Sequence, residues 1–165
     1  MDILILLGSH SDLKITERGL GYLKELGIKF ELRIASAHRT PEHVESLVDK
    51  FDKQGGKAII CVAGKSAHLA GVVAASTKTP VLAVPVYGAA TAGFDALLSM
   101  VQMPAGIPVA TMGIGGSGFG NACLFAVHIM GLTNSEVSSR LEKFRSKMTE
   151  DVLKADEKHK IISTD

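Results

Sequence analysis

The sequence predicts an α/β fold in which a five-stranded parallel sheet lies between two layers of helices. Five short apolar runs recur along the chain, at 3–7, 30–34, 58–62, 81–84 and 108–112. A segment in which apolar residues have helical spacing follows each run. Strands buried on both faces and alternating with helices are typical of parallel sheets.

The helices are predicted from apolar spacing and from residues that begin or end a helix. Leucines and isoleucines over 13–26, followed by Gly27, predict the first helix. Thr40, Pro41 and Glu42 open the second, which ends near 54–56. Further helices are predicted at 67–76, 92–101, 118–130 and 135–159, the last opening at 134 or 135. Right-handed crossovers then favour a flavodoxin-like three-layer α/β/α sandwich with a C-terminal helix.

Length and composition limit both the number of domains and the class of ligand. With 165 residues, 46% of them hydrophobic, the chain is predicted to form one domain over 1–165, with 134–165 as a C-terminal helical extension. Lys and Arg number 18 against 17 for Asp and Glu, and this formal charge of +1 favours a small-molecule ligand over nucleic acid or a membrane. The apolar stretch at 3–7 is too short for a signal peptide or a membrane span, so we expect a cytoplasmic protein.

The two cysteines, Cys61 and Cys123, both lie in apolar runs. We expect buried free thiols rather than a disulfide framework or a metal site, because free cysteine is commonly buried. No residue pattern calls for a metal ion or an organic cofactor, and none is expected.

Ligands of open parallel sheets bind beyond the carboxyl ends of the strands, so the segments after the apolar runs are the candidate binding loops. The first is GSHSD at 8–12. Its small and hydroxyl-bearing residues could cradle a phosphate at a helix start, with Asp12 accepting hydrogen bonds from ribose hydroxyls. The same residues could equally form a helix cap with solvent-facing neighbours.

The next two loops carry titratable side chains. His38 and Arg39 follow the second run and place an imidazole beside an anion-binding guanidinium, although a structural histidine with a surface arginine is the alternative. After the third run, Lys65, Ser66 and His68 lie near a glycine that allows close backbone approach. Lys65 could neutralise a carboxylate or orient CO2, whereas His68 could be only a helix-start residue.

Two later segments are less informative. Residues 113–118 match G-x-G-x-x-G, but the second strand and the acidic ribose ligand that dinucleotide binding needs about 20 residues further on are missing. These glycines indicate a tight strand-to-helix turn, or a flexible loop that closes over a site or packs against another subunit. Two prolines make 102–108 a rigid bend that could wall a pocket or merely close a connection.

Four motifs, in order and each after a predicted strand, resemble the PurE family. They are GSHSD at 8–12, SAHRTPE at 36–42, AGKSAHLAG at 63–71 and MPAGIPVAT at 103–111, and the resemblance spans roughly residues 2–130. It implies a flavodoxin-like enzyme that acts on aminoimidazole ribonucleotide and its 4-carboxylate. It also implies a homo-octamer or homotetramer with active sites between subunits.

The resemblance also implies site residues. His38 matches the catalytic histidine, which would remove the proton from carbon 4 of the imidazole. The positions that match nucleotide-binding residues are Gly8, Ser9, Ser11, Asp12, Ser36, Ala37 and Arg39. The positions that match the surroundings of the imidazole and its carboxyl group are Gly64, Lys65, Ser66, Ala67, His68, Leu69, Met103 and Pro104.

The family has two branches, and position 65 bears on which of them this chain resembles. One branch moves the carboxylate of N5-carboxyaminoimidazole ribonucleotide to carbon 4, and the other carboxylates aminoimidazole ribonucleotide directly with CO2. The mutase branch typically reads AGGAAHLPG where this chain reads AGKSAHLAG at 63–71. Lys65, Ser66 and Ala70 depart together toward the lysine- or arginine-bearing carboxylase branch, so direct carboxylation is favoured, with the mutase as the alternative.

Two interpretations without enzymatic activity are the alternatives: a binding module and a scaffold. A flavodoxin-like module that binds FMN or another phosphate without chemistry would give a coloured protein, but an aromatic content of 5% with no Trp argues against a stacked flavin. An oligomeric scaffold would leave unexplained why His38, Arg39, Lys65 and His68 all follow strand ends, where this fold builds its sites.

Overall fold

The computed structural model describes residues 1–163 and contains a five-stranded sheet. The strands are β1 (Ile3–Leu7), β2 (Phe30–Ile34), β3 (Ala58–Ala63), β4 (Val81–Pro85) and β5 (Ala110–Thr111). Neighbouring strands pair in parallel in the order β2-β1-β3-β4-β5. This is the flavodoxin-like order, and it confirms the predicted architecture.

Six α-helices connect and follow the strands. They are α1 (Glu17–Glu25), α2 (Pro41–Lys53), α3 (Leu69–Ser76), α4 (Phe94–Val101), α5 (Gly116–Gly131) and α6 (Ser135–His159). The first predicted helix is divided, because a 3-10 helix at His10–Ile15 precedes α1. Helix α4 begins two residues later than predicted, because Ala92 and Gly93 have φ angles of 53° and 86° and so cannot continue a right-handed helix.

Strand β5 is shorter than the predicted run at 108–112. Pro108 has no N–H to donate to a neighbouring strand, which limits the start of the ladder. Beyond the strand, the Met112 N–H still donates to the Ala83 carbonyl at 2.8 Å. Strand β5, at the edge of the sheet, therefore forms only a short regular ladder with β4.

Apolar side chains form one cluster on each face of the sheet. Alternate residues of β1 point to opposite faces, and all five are at most 1% exposed. Helices α1, α5 and α6 cover the face reached by Ile3 and Ile5, and α2, α3 and α4 cover the face reached by Leu4 and Leu6. Full burial of each such side chain contributes about 1.5–3 kcal/mol, so the strands are fixed on both sides.

The cysteines are buried and unpaired, as predicted. Cys61 belongs to one apolar cluster and Cys123 to the other, so the sheet separates the two thiols. Burial raises the pKa of both thiols, that of Cys123 to about 12. Both groups are therefore protonated at neutral pH and poorly suited to nucleophilic or redox chemistry.

The glycines at 113–118 form the tight strand-to-helix turn that leads into α5. A Cβ atom on Gly118 would overlap the carbonyl oxygen of Gly113, and Gly115 has a φ of 80°. Both positions therefore require glycine to close the turn, which accounts for the G-x-G-x-x-G pattern without a dinucleotide.

Helix α6 begins where predicted and then leaves the body of the protein. The Asn134 side chain accepts hydrogen bonds from the Glu136 and Val137 N–H groups and caps the helix. Val137 and Phe144 pack on the core, whereas every residue from 145 to 163 is exposed. Residues 164 and 165 of the predicted extension lie outside the described residues. Among residues 1–163, no helix has both the length and the apolar character needed to cross a bilayer.

Candidate active site

The loops after β1, β2 and β3 meet at one edge of the sheet. Strand β1 lies between β2 and β3, so the chain adds β2 on one side of β1 and the later strands on the other side. Folds of this class bind ligands beyond the strand ends at this point of the sheet. Backbone hydrogen bonds extend the pairing into the loops: Gly8 N–H donates to Val62 O at 2.9 Å, and Ala35 N–H donates to Leu7 O at 2.8 Å. The three candidate loops are therefore neighbours in space.

His38 and His68 form a hydrogen-bonded pair at this edge. His38 Nε2 lies 2.9 Å from His68 Nδ1, and the rings meet edge to face with centroids 5.0 Å apart. Each neutral imidazole has one N–H and one lone pair, so one ring donates and the other accepts. The two residues are 30 positions apart in the chain and follow different strands, so His68 is more than a helix-start residue.

Arg39 connects the loop after β2 to the loop after β1. Its Nη2 donates to the Gly8 carbonyl at 3.2 Å, which holds the guanidinium beside residues 8–12. The side chain is otherwise exposed, so its remaining N–H groups are available to an anion. This geometry places a cation next to the predicted phosphate loop.

The loop after β1 presents hydroxyl groups and one shielded carboxyl group. Ser9 Oγ caps the 3-10 helix by accepting from Ser11 N–H at 3.3 Å, and Ser11 Oγ donates to Ser9 Oγ at 2.9 Å. Asp12 is only 7% exposed, and this burial raises its pKa, opposed by hydrogen bonds from Ser11 and Ser9 and by the charge of His10. This loop can both cap the helix and bind a ligand, because the cap uses the Ser9 side chain and leaves Ser11 exposed to a ligand.

A turn after β2 sets the positions of His38 and Arg39. Ser36 N–H donates to Thr40 Oγ1 at 2.9 Å, and Thr40 N–H donates to Ser36 O at 2.9 Å. The Arg39 N–H donates to Ser36 Oγ at 3.3 Å. Thr40 thus closes the turn with its side chain instead of capping α2, and Ala37 is half-buried against the core beneath it.

Lys65 has an unusual backbone conformation for a residue with a side chain. Its φ is 58°, and Lys65 and Ala92 are the two non-glycine residues with positive φ in the described part of the chain. A left-handed conformation costs such a residue roughly 1 kcal/mol or more, and residues of this kind cluster at functional sites. Lys65 and Ser66 are exposed, and His68 N–H donates to Ser66 O at 2.9 Å.

The structure does not place all of the predicted site side chains at this edge. Ala67 and Leu69 are 1% and 2% exposed and point into the core, so only their backbone atoms could reach a ligand. Met103 and Pro104 lie in the connection from α4 to β5. A Cβ atom on Gly71 would lie 3.4 Å from Met103 Sδ, so Met103 rests on α3.

The sequence did not indicate the loop after β4, which also lies at this edge. Val86 N–H donates to Ala63 O at 2.9 Å, so residues 86–93 begin beside the Lys65 loop. The loop brings the exposed Tyr87 ring and, at the start of α4, the Asp95 carboxyl group into the neighbourhood. In the sequence, only its position after a strand pointed to a binding loop, because its composition is that of an ordinary loop between a strand and a helix.

Two open hollows in the described residues lie away from the paired histidines. One has a volume of about 570 Å³ and is lined by Asp52 and residues 75–79, and the other, of about 610 Å³, lies at the turn between α5 and α6. In the first, Asp52 accepts from the hydroxyls of Thr77 and Thr79 at 2.6 and 2.8 Å, which ties α2 to the entry of β4. We interpret that carboxylate as structural, because hydrogen bonds satisfy both of its oxygens.

Comparison with known proteins agrees with the motifs and the sheet order. The family profile described as AIR carboxylase matches residues 2–151. The chain is 49% identical to N5-carboxyaminoimidazole ribonucleotide mutase of Methanocaldococcus jannaschii, covering 96% of this chain and 97% of that protein. It is 45% identical to phosphoribosylaminoimidazole carboxylase of Saccharomyces cerevisiae over 90% of this chain, which corresponds to 26% of that protein.

A solved structure shows the same fold with detectable sequence identity. Treponema denticola PurE superposes with a TM-score of 0.86 at 32% identity, and the match covers 96% of this chain and 98% of that one. The family match spans most of the chain and includes the loops that carry His38, Arg39 and His68. The chain therefore belongs to the AIR carboxylase, or PurE, family.

Proposed function

We propose that this protein is a cytoplasmic enzyme of purine biosynthesis that carboxylates carbon 4 of aminoimidazole ribonucleotide, reversibly and without ATP, using CO2. The hydrogen-bonded His38–His68 pair, with Arg39 beside it and Lys65 in the next loop, is the observation that supports this proposal most strongly. It provides a group that can take up a proton, next to an anion-binding group and a cation.

The loop after β1 is the proposed nucleotide-binding surface. Arg39, with the hydroxyls of Ser9 and Ser11, would bind the phosphate, since a guanidinium offers several donors in a fixed plane. Asp12 would accept from the ribose hydroxyls, which suits a carboxyl group that is largely shielded from water. Ser36 and Gly64, in the loops after β2 and β3, would also contact the nucleotide.

The proposed reaction forms one carbon–carbon bond and releases one proton. Carbon 4 of the electron-rich imidazole attacks CO2, and the adduct carries both a hydrogen and a carboxylate on that carbon. Removal of the hydrogen as a proton returns the C–H electron pair to the ring and restores aromaticity. The site contributes proximity by holding CO2 against the bound nucleotide.

His38 is the proposed proton acceptor, and His68 holds it in place. When His38 Nε2 donates to His68 Nδ1, the lone pair of His38 Nδ1 is free, and the ring can act as a base. In the reverse direction, protonated His38 carries a hydrogen on each ring nitrogen, so it can return the Nδ1 proton to carbon 4 while its Nε2–H still donates to His68. The hydrogen bond between the rings therefore couples the protonation of His38 to its orientation.

Lys65 and Ser66 are the proposed binding groups for CO2 and for the carboxylate that forms from it. The ammonium group would stabilise the negative charge that develops on the transferred group. The left-handed backbone of Lys65 supports this role, because glycine would fit there without strain. Replacing Lys65 with Gly should raise the thermal stability and weaken the use of CO2.

The second candidate is the mutase reaction, in which the carboxylate comes from N5-carboxyaminoimidazole ribonucleotide. The name of the relative from Methanocaldococcus jannaschii, which is 49% identical, favours it. Both reactions end with the same carboxylation and proton loss at carbon 4. They differ in the donor of the carboxyl group, so His38 and Arg39 have the same roles in both.

The experiment that tests the proposal is ATP-free turnover of aminoimidazole ribonucleotide at several concentrations of dissolved CO2. Product is quantified by chromatography and mass spectrometry. Formation of the 4-carboxylate in proportion to CO2 supports direct carboxylation. No product from CO2, together with rapid conversion of N5-carboxyaminoimidazole ribonucleotide, would establish the second candidate instead.

We also propose that the enzyme assembles as a homo-octamer or homotetramer with its sites between subunits. Phe94, Leu98 and Val101 form an apolar stripe along α4 with exposures of 60%, 53% and 51%, and Met103 and Pro104 follow this helix in the chain. Covering it with a second copy would bury apolar surface and would bring the 103–104 segment near a neighbour's site.

Analytical ultracentrifugation of Leu98→Glu tests this assembly. The charge should dissociate the oligomer and reduce turnover. Leu132→Glu is the matched control, since Leu132 is 83% exposed at the turn after α5 and lies outside the stripe. Equal sedimentation of the unsubstituted protein and Leu98→Glu would contradict the proposed interface.

A further inference from the structure

The loops that follow β3 and β4 are packed against each other at the candidate active site. A Cβ atom on Gly64 would lie 3.5 Å from Val86 Cβ, and one on Gly93 would lie 3.2 Å from Val86 O. Val86 is therefore in close contact with both glycines. Lys65 follows the first glycine directly, and Asp95 comes two residues after the second, so the fold places a cation and a carboxylate in neighbouring loops.

Asp95 is the fixed member of this pair. It lies in the first turn of α4, and its Oδ1 accepts from the Ala96 N–H at 2.7 Å. The left-handed residues Ala92 and Gly93 set the direction in which the chain enters α4. Lys65 in contrast has a long flexible side chain, which can take several positions unless a charge directs it.

Lys65 and Asp95 do not form a close ion pair within the described residues. Within residues 1–163, the ion pairs at 4.0 Å or less join other residues and do not include Lys65. The pKa of Asp95 is nevertheless lowered, first by a hydrogen bond from Thr91, then by the Ala96 N–H, and also by the charge of Lys65. The charge of Lys65 is the smallest of these causes, and it agrees with the placement of the two residues in neighbouring loops.

We propose that Asp95 is a positioning residue for Lys65, holding its ammonium group between the loops after β3 and β4, where it meets the carboxyl group that is added to the imidazole. This role rests on the proposed function, because it assumes that Lys65 binds CO2 or the new carboxylate. Asp95 itself does not touch the substrate. Its effect on the reaction passes through Lys65.

The test is a double-mutant cycle with Asp95→Asn, Lys65→Met and the combined variant. The KM for CO2 and kcat are measured at saturating aminoimidazole ribonucleotide. Asp95→Asn should raise the KM for CO2 by about two- to fivefold, the range typical of a solvent-exposed charge pair, and change kcat little. In the Lys65→Met background the same substitution should cause no further rise, because the group that it positions is gone.

Two controls separate positioning from folding. Asp95→Glu keeps the carboxylate and should recover most of the affinity for CO2. Asp49→Asn, an exposed aspartate on α2 remote from the site, should leave KM and kcat unchanged. Melting temperatures of all variants show whether a substitution acts by destabilising α4.

The outcomes distinguish this inference from the function on which it rests. Suppose that Lys65→Met raises the KM for CO2. If Asp95→Asn then has no effect, or has the same effect in the unsubstituted enzyme and in Lys65→Met, the role of Asp95 is overturned and that of Lys65 stands. If Lys65→Met leaves the KM unchanged, or the unsubstituted enzyme shows no CO2-dependent turnover, the proposed function fails and the role of Asp95 fails with it.

Discussion

Replacing the two histidines one at a time should produce losses of very different size. His38→Asn removes the proposed proton acceptor, and general acid–base catalysis typically contributes about 10²–10⁴-fold in rate. His68→Asn leaves that acceptor in place and disturbs the one hydrogen bond that holds its ring, the 2.9 Å contact from His68 Nδ1. A single neutral hydrogen bond corresponds to about a two- to twelvefold change, so His68→Asn should cost roughly tenfold.

The assay measures kcat, KM and the dissociation constant for aminoimidazole ribonucleotide, the last by calorimetry. Both variants should keep the affinity for the nucleotide within about threefold, because the phosphate and ribose contacts lie on other residues. His128→Asn is the matched control, since His128 is exposed in the last turn of α5 and lies away from the site. Near-normal kcat in His38→Asn would refute the assignment of the base, and equal losses in both variants would refute the division of roles.

Three further predictions follow from single contacts. Arg39→Ala should raise the KM for the nucleotide by about 10- to 100-fold with little change in melting temperature, because it removes a charged hydrogen-bonding partner of the phosphate. Burial raises the pKa of Asp12 above its ordinary 3.8, so the folded protein still holds this proton at pH values where the unfolded chain has lost it, and stability falls as the pH rises through that window. Asp12→Asn should therefore have a higher melting temperature at pH 7, measured in thermal scans across pH, and should bind the nucleotide more weakly. Gly118→Ala should lower the melting temperature strongly through overlap with the Gly113 carbonyl, whereas Gly21→Ala, which has open space within 4 Å, should stabilise α1 by about 0.5–1 kcal/mol.

The sheet was predictable from the sequence because its strands are short, apolar and regularly spaced. All five predicted runs contain a strand, since burial on both faces leaves little alternative for sequences such as ILILL. The boundaries that differed depend on backbone details. The division at Thr16 rests on a hydroxyl that donates to Leu13 O at 2.7 Å, and the late start of α4 rests on the φ of Ala92.

The site was only partly predictable, because its contacts join distant parts of the chain. Parallel pairing alone implies that the loops after β1, β2 and β3 are neighbours. The direct contacts of His38 with His68 and of Arg39 with Gly8 depend on side-chain directions that periodicity does not encode. Asp95 escaped notice because an acidic residue in the first turn of a helix is common for reasons of helix stability alone.

The source of the carboxyl group tests the central claim most directly. The enzyme is given N5-carboxyaminoimidazole ribonucleotide labelled with ¹³C in its carboxyl group, together with unlabelled aminoimidazole ribonucleotide and saturating unlabelled CO2, and the label in the 4-carboxylate is measured by mass spectrometry. Direct carboxylation predicts a largely unlabelled product at early times. A product that retains the ¹³C label would show transfer from the N5 position and would contradict direct carboxylation.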